Sequence, residues 1–183
     1  IASDTNKVYG AEFSFVGNEY TTDPAALYNG DAITDLTLTS DGTNKVVAVN
    51  EVDGYPITPV SVKKSNITEL EKKYDVSYAD GKLRVKKRDL TLKLNTVTKE
   101  YRDDLTIEGT NFTVSAETPL PDFETPTNVV SIVCTADTSE VGEFPGTVVP
   151  SADPVVSGSH TMEPDYNFDA NNYNITFENG NLK

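Results

Sequence analysis

Tyr74-Asp75-Val76-Ser77-Tyr78-Ala79-Asp80-Gly81-Lys82-Leu83-Arg84-Val85 returns later in the chain as Tyr173-Asn174-Ile175-Thr176-Phe177-Glu178-Asn179-Gly180-Asn181-Leu182. The chain is therefore read as a tandem repeat. Asp-Gly and Asn-Gly accept positive φ at both central positions of a type I′ turn, so each segment predicts a two-residue β-hairpin. Such a turn sets Tyr78 against Leu83 and Val76 against Val85 on one face, with Phe177 against Leu182 in the second copy. Ser77, Ala79, Lys82 and Arg84 then face the other way. A slip of one residue would send the apolar set to solvent, so turn chemistry and alternation point to the same register.

Outward from these segments the copies stay in parallel. Lys7-Val8-Tyr9 lies over Lys99-Glu100-Tyr101, and Phe15-Val16-Gly17-Asn18-Glu19-Tyr20 lies over Ile107-Glu108-Gly109-Thr110-Asn111-Phe112. Ile33 to Thr39 aligns with Val129 to Thr135, and Tyr55-Pro56-Ile57-Thr58 with Phe144-Pro145-Gly146-Thr147. Frame changes that fall between strand-like blocks are what loop insertions on a common scaffold produce. Leu90-Thr91-Leu92-Lys93-Leu94 alternates strictly and follows directly on Lys86-Lys87-Arg88-Asp89, which predicts a short, stiff junction and a rod-forming arrangement. The first copy keeps only Ile1 and Ala2 of this strand, and the second stops inside its last hairpin. The reading is thus a first repeat over residues 1–87 with its N-terminal strand truncated, and a second over 88–183 with its C-terminal strand truncated, as in a piece of a longer protein.

Helix signals are few. Asp23-Pro24-Ala25-Ala26-Leu27-Tyr28-Asn29-Gly30 offers an N-cap, a first-turn proline and a stop glycine, enough for one or two turns. Residues 65–73 offer a weaker helical turn. Residues 117–126 carry three prolines and read as an extended loop, and residues 153–170 read as a second long loop. These two loops are where a private function of the second copy is expected, with Phe123, Tyr166 and Phe168 as candidate ligand-binding aromatics.

Fifteen Lys and Arg against 29 Asp and Glu leave a net charge of −14, which argues against a nucleic-acid partner. Basic residues concentrate between Lys63 and Arg102, and none occurs from Asp103 to Glu178. The alternation of Lys82, Arg84 and Lys86 with Leu83 and Val85 reads as a solvated strand face, with an anionic-glycan site at this basic waist as the sharper alternative. The single cysteine, Cys134, cannot form an intrachain disulfide and lies in an apolar run, as a core thiol does. No apolar run reaches the roughly 18 to 20 residues that span a bilayer, and no signal peptide is visible, so no membrane insertion is expected of this segment.

Catalytic patterns are not found. The lone His160 lies in Ser157-Gly158-Ser159-His160 with no nucleophile elbow, and there is no phosphate loop, dinucleotide fingerprint or Cys/His cluster. Carboxylate pairs are too numerous to discriminate, but a sugar-cleaving site wants an aromatic platform and Trp is missing. Asp165-Tyr166-Asn167-Phe168-Asp169 places oxygen side chains at alternate positions, as a calcium loop begins. Ala170 then replaces the required glycine and Thr176 the bidentate glutamate, which leaves only an irregular calcium site in the acidic loops as an option. Asn66-Ile67-Thr68, Asn111-Phe112-Thr113 and Asn174-Ile175-Thr176 match a glycosylation tripeptide that an Asn- and Thr-rich chain generates by chance. Lys7 and Lys99 recur in both copies as a surface-module isopeptide lysine would, but no carboxylate beside a buried Lys–Asn pair can be read.

Lys7-Val8-Tyr9-Gly10, the run Leu27-Tyr28-Asn29-Gly30-Asp31-Ala32-Ile33 leading to Leu36-Thr37-Leu38-Thr39-Ser40-Asp41-Gly42, then Gly54-Tyr55-Pro56-Ile57 and the closing segment together resemble the MBG domain of the YGX type. The first copy resembles it through nearly its whole length. The second departs, with Arg102 where glycine is expected and no Asn-Gly-Asp stretch. The resemblance implies a tandem module of large bacterial surface and secreted proteins, many linked with adhesion, and a β-rich stalk without catalytic residues. The expected fold is mostly β, two small antiparallel modules of about five to seven strands each, with at most a short helix and a β-grasp-like roll around it as one arrangement. The expected function is a non-catalytic extracellular spacer whose partners are neighbouring repeats. A module binding host or cell-wall glycans through the second copy's loops is the alternative.

Overall fold

The computed structural model describes residues 1–66, 70–101, 103–136, 141–160 and 168–183. The chain forms two compact units, Ile1–Lys87 and Arg88–Lys183. The fold is mostly β, 48% strand and 7% helical, with no helix of seven or more residues among the described residues. Among them the expected β-grasp roll lacks a helix for a sheet to wrap.

In the N-terminal unit, β1 (Thr5–Val8), β2 (Ile33–Thr39), β3 (Asn50–Ser65) and β4 (Gly81–Lys86) form one sheet in the order β1-β4-β3-β2. β1 runs parallel to β4, and the other pairs are antiparallel. Alternation in β4 buries Gly81, Leu83 and Val85 and leaves Lys82 and Lys86 exposed. Leu83 and Ile57 are fully buried in a core with Ala2, Leu36 and Leu38, against which Phe13, Phe15, Tyr20 and Val62 pack. Each such aliphatic side chain contributes about 1.5–3 kcal/mol by leaving water. Among the described residues of this unit, helix is limited to α1 (Leu70–Lys73) and two 3₁₀ turns at Tyr28–Gly30 and Asp41–Thr43. The turns expected over residues 23–30 shrink to the first of these, where Asn29 takes φ 57°.

In the C-terminal unit, β5 (Arg88–Leu94), β6 (Phe112–Val114) and β9 (Tyr173–Glu178) form a sheet in the order β6-β5-β9, and β7 (Glu124–Cys134), β8 (Phe144–His160) and β10 (Gly180–Leu182) form another in the order β10-β8-β7. β5 is antiparallel to β6 and parallel to β9. Strict alternation in β5 buries Leu90, Leu92 and Leu94. Residues 153–160, expected within a loop, continue β8, and residues 161–167 lie outside the described residues. The prolines of residues 117–126 keep that stretch irregular up to Glu124, where β7 begins. Cys134 is half-buried on β7 opposite Val148.

Neither predicted hairpin forms. Residues 74–80 belong to no strand, and β4 pairs with β1 and β3 instead. In the second copy the two arms go to different sheets, β9 to β5 and β10 to β8. Among the described residues positive φ occurs at Asn29 and at Gly10, Gly17, Gly30, Gly54 and Gly146, and not at Gly81 or Gly180. Those two glycines answer a different demand. A Cβ on Gly81 would stand 2.6 Å from the Ala2 carbonyl oxygen, and one on Gly180 would stand 2.3 Å from that of Asn95. Space forbids a side chain where two backbones cross. An isolated two-strand arm would leave edges unpaired, whereas β4 inside a sheet satisfies both of its edges.

The pairings repeat from unit to unit. The Ala2–Tyr20 bridge recurs as Leu94–Phe112, the parallel Thr5–Leu83 pair as Val97–Leu182, and Tyr55–Leu83 as Phe144–Leu182. The Thr39 hydroxyl donates to the Thr58 carbonyl at 3.4 Å, and the Thr135 hydroxyl to the Thr147 carbonyl at 3.3 Å. One alignment block needs correction. Leu36 N donates to Gly17 O as Val129 N donates to Gly109 O, so Leu36 corresponds to Val129, although Thr39 corresponds to Thr135 as read. Between Val130 and Ile132 the register with β8 shifts, one β7 residue standing against four of β8.

Candidate functional site

The aromatic residues singled out in the sequence do not make a platform. Phe123 is 1% exposed and Phe168 6% exposed, and the Phe168 ring stacks on Tyr173 with centroids 5.1 Å apart and planes at 9°. Tyr166 lies outside the described residues. Phe123 precedes β7 and Phe168 leads into β9 through the 3₁₀ turn Ala170–Asn172, so both fill the core of the C-terminal unit. The Tyr173 hydroxyl donates to the buried Glu124 carboxylate, which gives that carboxylate a partner inside this core.

Of the oxygen-rich run, Asp165 and Asn167 lie outside the described residues, and Asp169 spends its carboxylate on its own turn. Its Oδ1 accepts from the backbone N and the side-chain Nδ2 of Asn171, each at 2.9 Å, as an N-cap does. Among the described residues no group of three or more His, Cys, Asp or Glu side chains gathers in metal-binding geometry.

The basic waist is partly neutralised. Arg84 pairs with Asp4 at 2.9 Å and Lys93 with Glu178 at 3.2 Å. The Arg84 guanidinium and the backbone N–H of Lys82 hold the Asp4 carboxyl below the usual carboxylate range. The Arg88 Nε donates to the Pro119 carbonyl at 3.0 Å, and Lys82 remains exposed.

Lys7 is 7% exposed, and its ammonium donates to the carbonyls of Ala11, at 3.1 Å, and Asn44. Burial pushes its pKa down to about 8, against the opposing pull of Glu12. Its bonding partners are main-chain carbonyls, so it clamps two loops together where an isopeptide lysine would face an Asn side chain. In the other unit Lys99 lines a recess of about 120 Å³ with Tyr101, Phe144 and Lys183.

One concave feature of the N-terminal unit was not picked out as a site in the sequence. It is a groove of about 400 Å³ between Tyr20 and Thr22 on one side and Val76 and Tyr78 on the other, floored by Leu36 and Val62. Tyr74 at its rim donates to Asp31 Oδ2 at 2.9 Å, and Tyr20 donates to the Ile33 carbonyl. Burial raises the Tyr20 pKa, with Asp35 adding to it, so the phenol stays a neutral donor. The groove can hold apolar side chains, and among the described residues that line it there is no paired nucleophile and base.

No family model, curated protein or solved structure matches this chain.

Proposed function

We propose that this chain is a pair of non-catalytic tandem β modules that spaces or presents other domains in an extracellular or surface protein of bacteria, adjoined by further repeats. The observation that carries this reading is recurrence. Each unit repeats the other's bridges, its glycine crossing and its terminal threonine bond, and the side chains that recur are spent on sheet and core. The resemblance of the first copy to the MBG domain points the same way, as does the burial of Phe123 and Phe168, which removes two of the three aromatics on which a glycan site in the second copy rested. No helix among the described residues is long and apolar enough to cross a membrane.

A load-bearing spacer withstands pulling, and a lectin binds sugar. Stretching the chain from its ends in a single-molecule force experiment should give two separate unfolding events, one per unit, while a glycan array should stay at background. One merged unfolding event, or glycan binding abolished by changes in the second copy's loops, would replace this reading with the glycan-binding one.

A further inference from the structure

We propose that Asn29-Gly30 is a self-modification site, where the chain exchanges the Asn29 amide for a carboxylate with water as co-reactant and so releases Asn66 and Tyr74 from the turn they hold. Two Asn-Gly pairs occur in the sequence, Asn29-Gly30 and Asn179-Gly180. In such a pair the following residue has no side chain to hinder ring closure on the amide. The structure separates the two. Asn29 is exposed, no bond among the described residues holds its side chain, and a Cβ on Gly30 would meet nothing within 4 Å. Asn179 donates through Nδ2 to the Gly146 carbonyl at 3.4 Å, and Gly180 is buried in β10, paired with Val148 and pressed against the Asn95 carbonyl. Ring closure needs the Asn–Gly peptide to swing, which the first pair allows and the second forbids until β10 leaves β8.

The reaction needs only base and water. Base removes the proton of the Gly30 backbone N, which then attacks Cγ of Asn29. The new C–N bond forms as the Cγ–Nδ2 bond breaks, and ammonia leaves with a proton from water. Water then opens the cyclic imide at one of its two carbonyls. Opening at Cγ gives aspartate with the backbone as it was. Opening at the α-carbonyl gives isoaspartate, whose main chain runs through Cβ and Cγ. Nothing is oxidised or reduced, and either product gains a negative charge.

The turn that this would remodel is a fastening point of the N-terminal unit. Asn29 at φ 57° and ψ 25° and Gly30 at φ 73° have type I′ geometry, closed by Asp31 N donating to the Tyr28 carbonyl at 3.0 Å. Asn66 grips the turn from the end of β3: its Nδ2 donates to the Gly30 carbonyl at 3.1 Å, its Oδ1 accepts from Ala32 N at 2.6 Å, and its N donates to the Ala32 carbonyl at 3.1 Å. The Tyr74 hydroxyl donates to Asp31 Oδ2 at 2.9 Å and stands 3.4 Å from the Tyr28 carbonyl oxygen. Isoaspartate inserts an extra main-chain atom between Tyr28 and Asp31, so the closing bond loses its geometry and the carbonyls that Asn66 and Tyr74 meet are displaced. The inference stands on bonds inside the N-terminal unit and does not depend on the spacer reading.

The test is to incubate the full chain at mildly alkaline pH and follow the Asn29 and Asn179 peptides by mass spectrometry, with fragmentation that separates isoaspartate from aspartate. Asn29 should lose its amide about tenfold faster than Asn179 or more, with isoaspartate the major product. In the reacted protein, hydrogen exchange at Asp31, Ala32 and Asn66 should quicken about tenfold, while the C-terminal unit keeps its protection. Asn29→Gly keeps access to positive φ and has no amide to lose, so the same incubation should leave its exchange unchanged. The inference is overturned if Asn29 keeps its amide or loses it no faster than Asn179. It is equally overturned if isoaspartate forms at position 29 while these amides keep their protection, or if they quicken as much in incubated Asn29→Gly.

Discussion

Gly180 and Asn95 are in backbone contact: a Cβ on the glycine would stand 2.3 Å from the Asn95 carbonyl oxygen, and Gly81 meets Ala2 the same way at 2.6 Å. Both glycines open a short core strand, β4 or β10, at the point where the chain passes the strand that begins the unit. The obstacle is main-chain atoms on both sides, which cannot swing away as a flexible side chain would.

Gly81→Ala is therefore expected to destabilise the N-terminal unit by about 1–3 kcal/mol, the usual range for overpacking. Gly81→Asn discriminates the cause. Asparagine tolerates a left-handed turn, so in a type I′ hairpin it would be nearly neutral. Close approach predicts that Asn is at least as damaging as Ala, which urea unfolding of the two variants reads directly.

Phe123→Ala should cost the C-terminal unit about 3–5 kcal/mol, as for deletion of a fully buried aromatic. The loss should appear in that unit's unfolding transition and leave the other unit's transition in place. A variant of unchanged stability would mean that the ring is exposed in solution.

Glu19 closes a turn by accepting from the backbone N–H groups of Val16 and Gly17, each at 2.9 Å, and of Asn18 at 3.1 Å. Burial alone would raise its pKa, but these donors outweigh it and hold the carboxyl below its ordinary 4.5. A depressed acid contributes stability above the unfolded pKa and loses it as pH falls through the folded one. Glu19→Gln is expected to cost about 1 kcal/mol at neutral pH, the scale of a charge-assisted bond, and to shrink the difference from wild type below pH 4. Urea titrations at pH 7 and pH 3 measure both.

Lys7 has the same sign with pH, in an alkaline window. Between pH about 8 and 10.5 the unfolded chain holds a proton that folded Lys7 has released, so its contribution rises with pH, at up to about 1.4 kcal/mol per pH unit. Lys7→Met should remove that slope. Stability of wild type minus that of Lys7→Met, measured at pH 7.5, 8.5 and 9.5, should climb, and a flat difference would show that the ammonium is solvated.

Much of the local structure was legible because it is written in neighbouring residues. Alternation in Leu90-Thr91-Leu92-Lys93-Leu94 and in Lys82-Leu83-Arg84-Val85 reports which side chains leave water, and both stretches are strands with those residues buried. The second long loop was misread because residues 153–160 carry turn residues, Pro154 and Gly158, that β8 tolerates. A Cβ on Gly158 would stand 2.1 Å from the Thr125 carbonyl oxygen, so that glycine too serves a close approach between strands. The candidate aromatics were misplaced for a related reason. Phe123 and Phe168 are flanked by polar residues, and what covers them comes from elsewhere in the chain.

By itself the sequence determined that the chain repeats, that it is built of strands, and which face of each strand turns inward, since all three follow from spacing along one chain. Only the tertiary structure decided which edges meet. Alternation fixes the face a side chain takes and is silent about the backbone groups at right angles to it, and a glycine before a strand serves a tight turn and a close crossing equally well. The pairing of β4 with β1 and β3 and the parting of β9 from β10 were settled where those backbones compete for the same hydrogen-bonding edge.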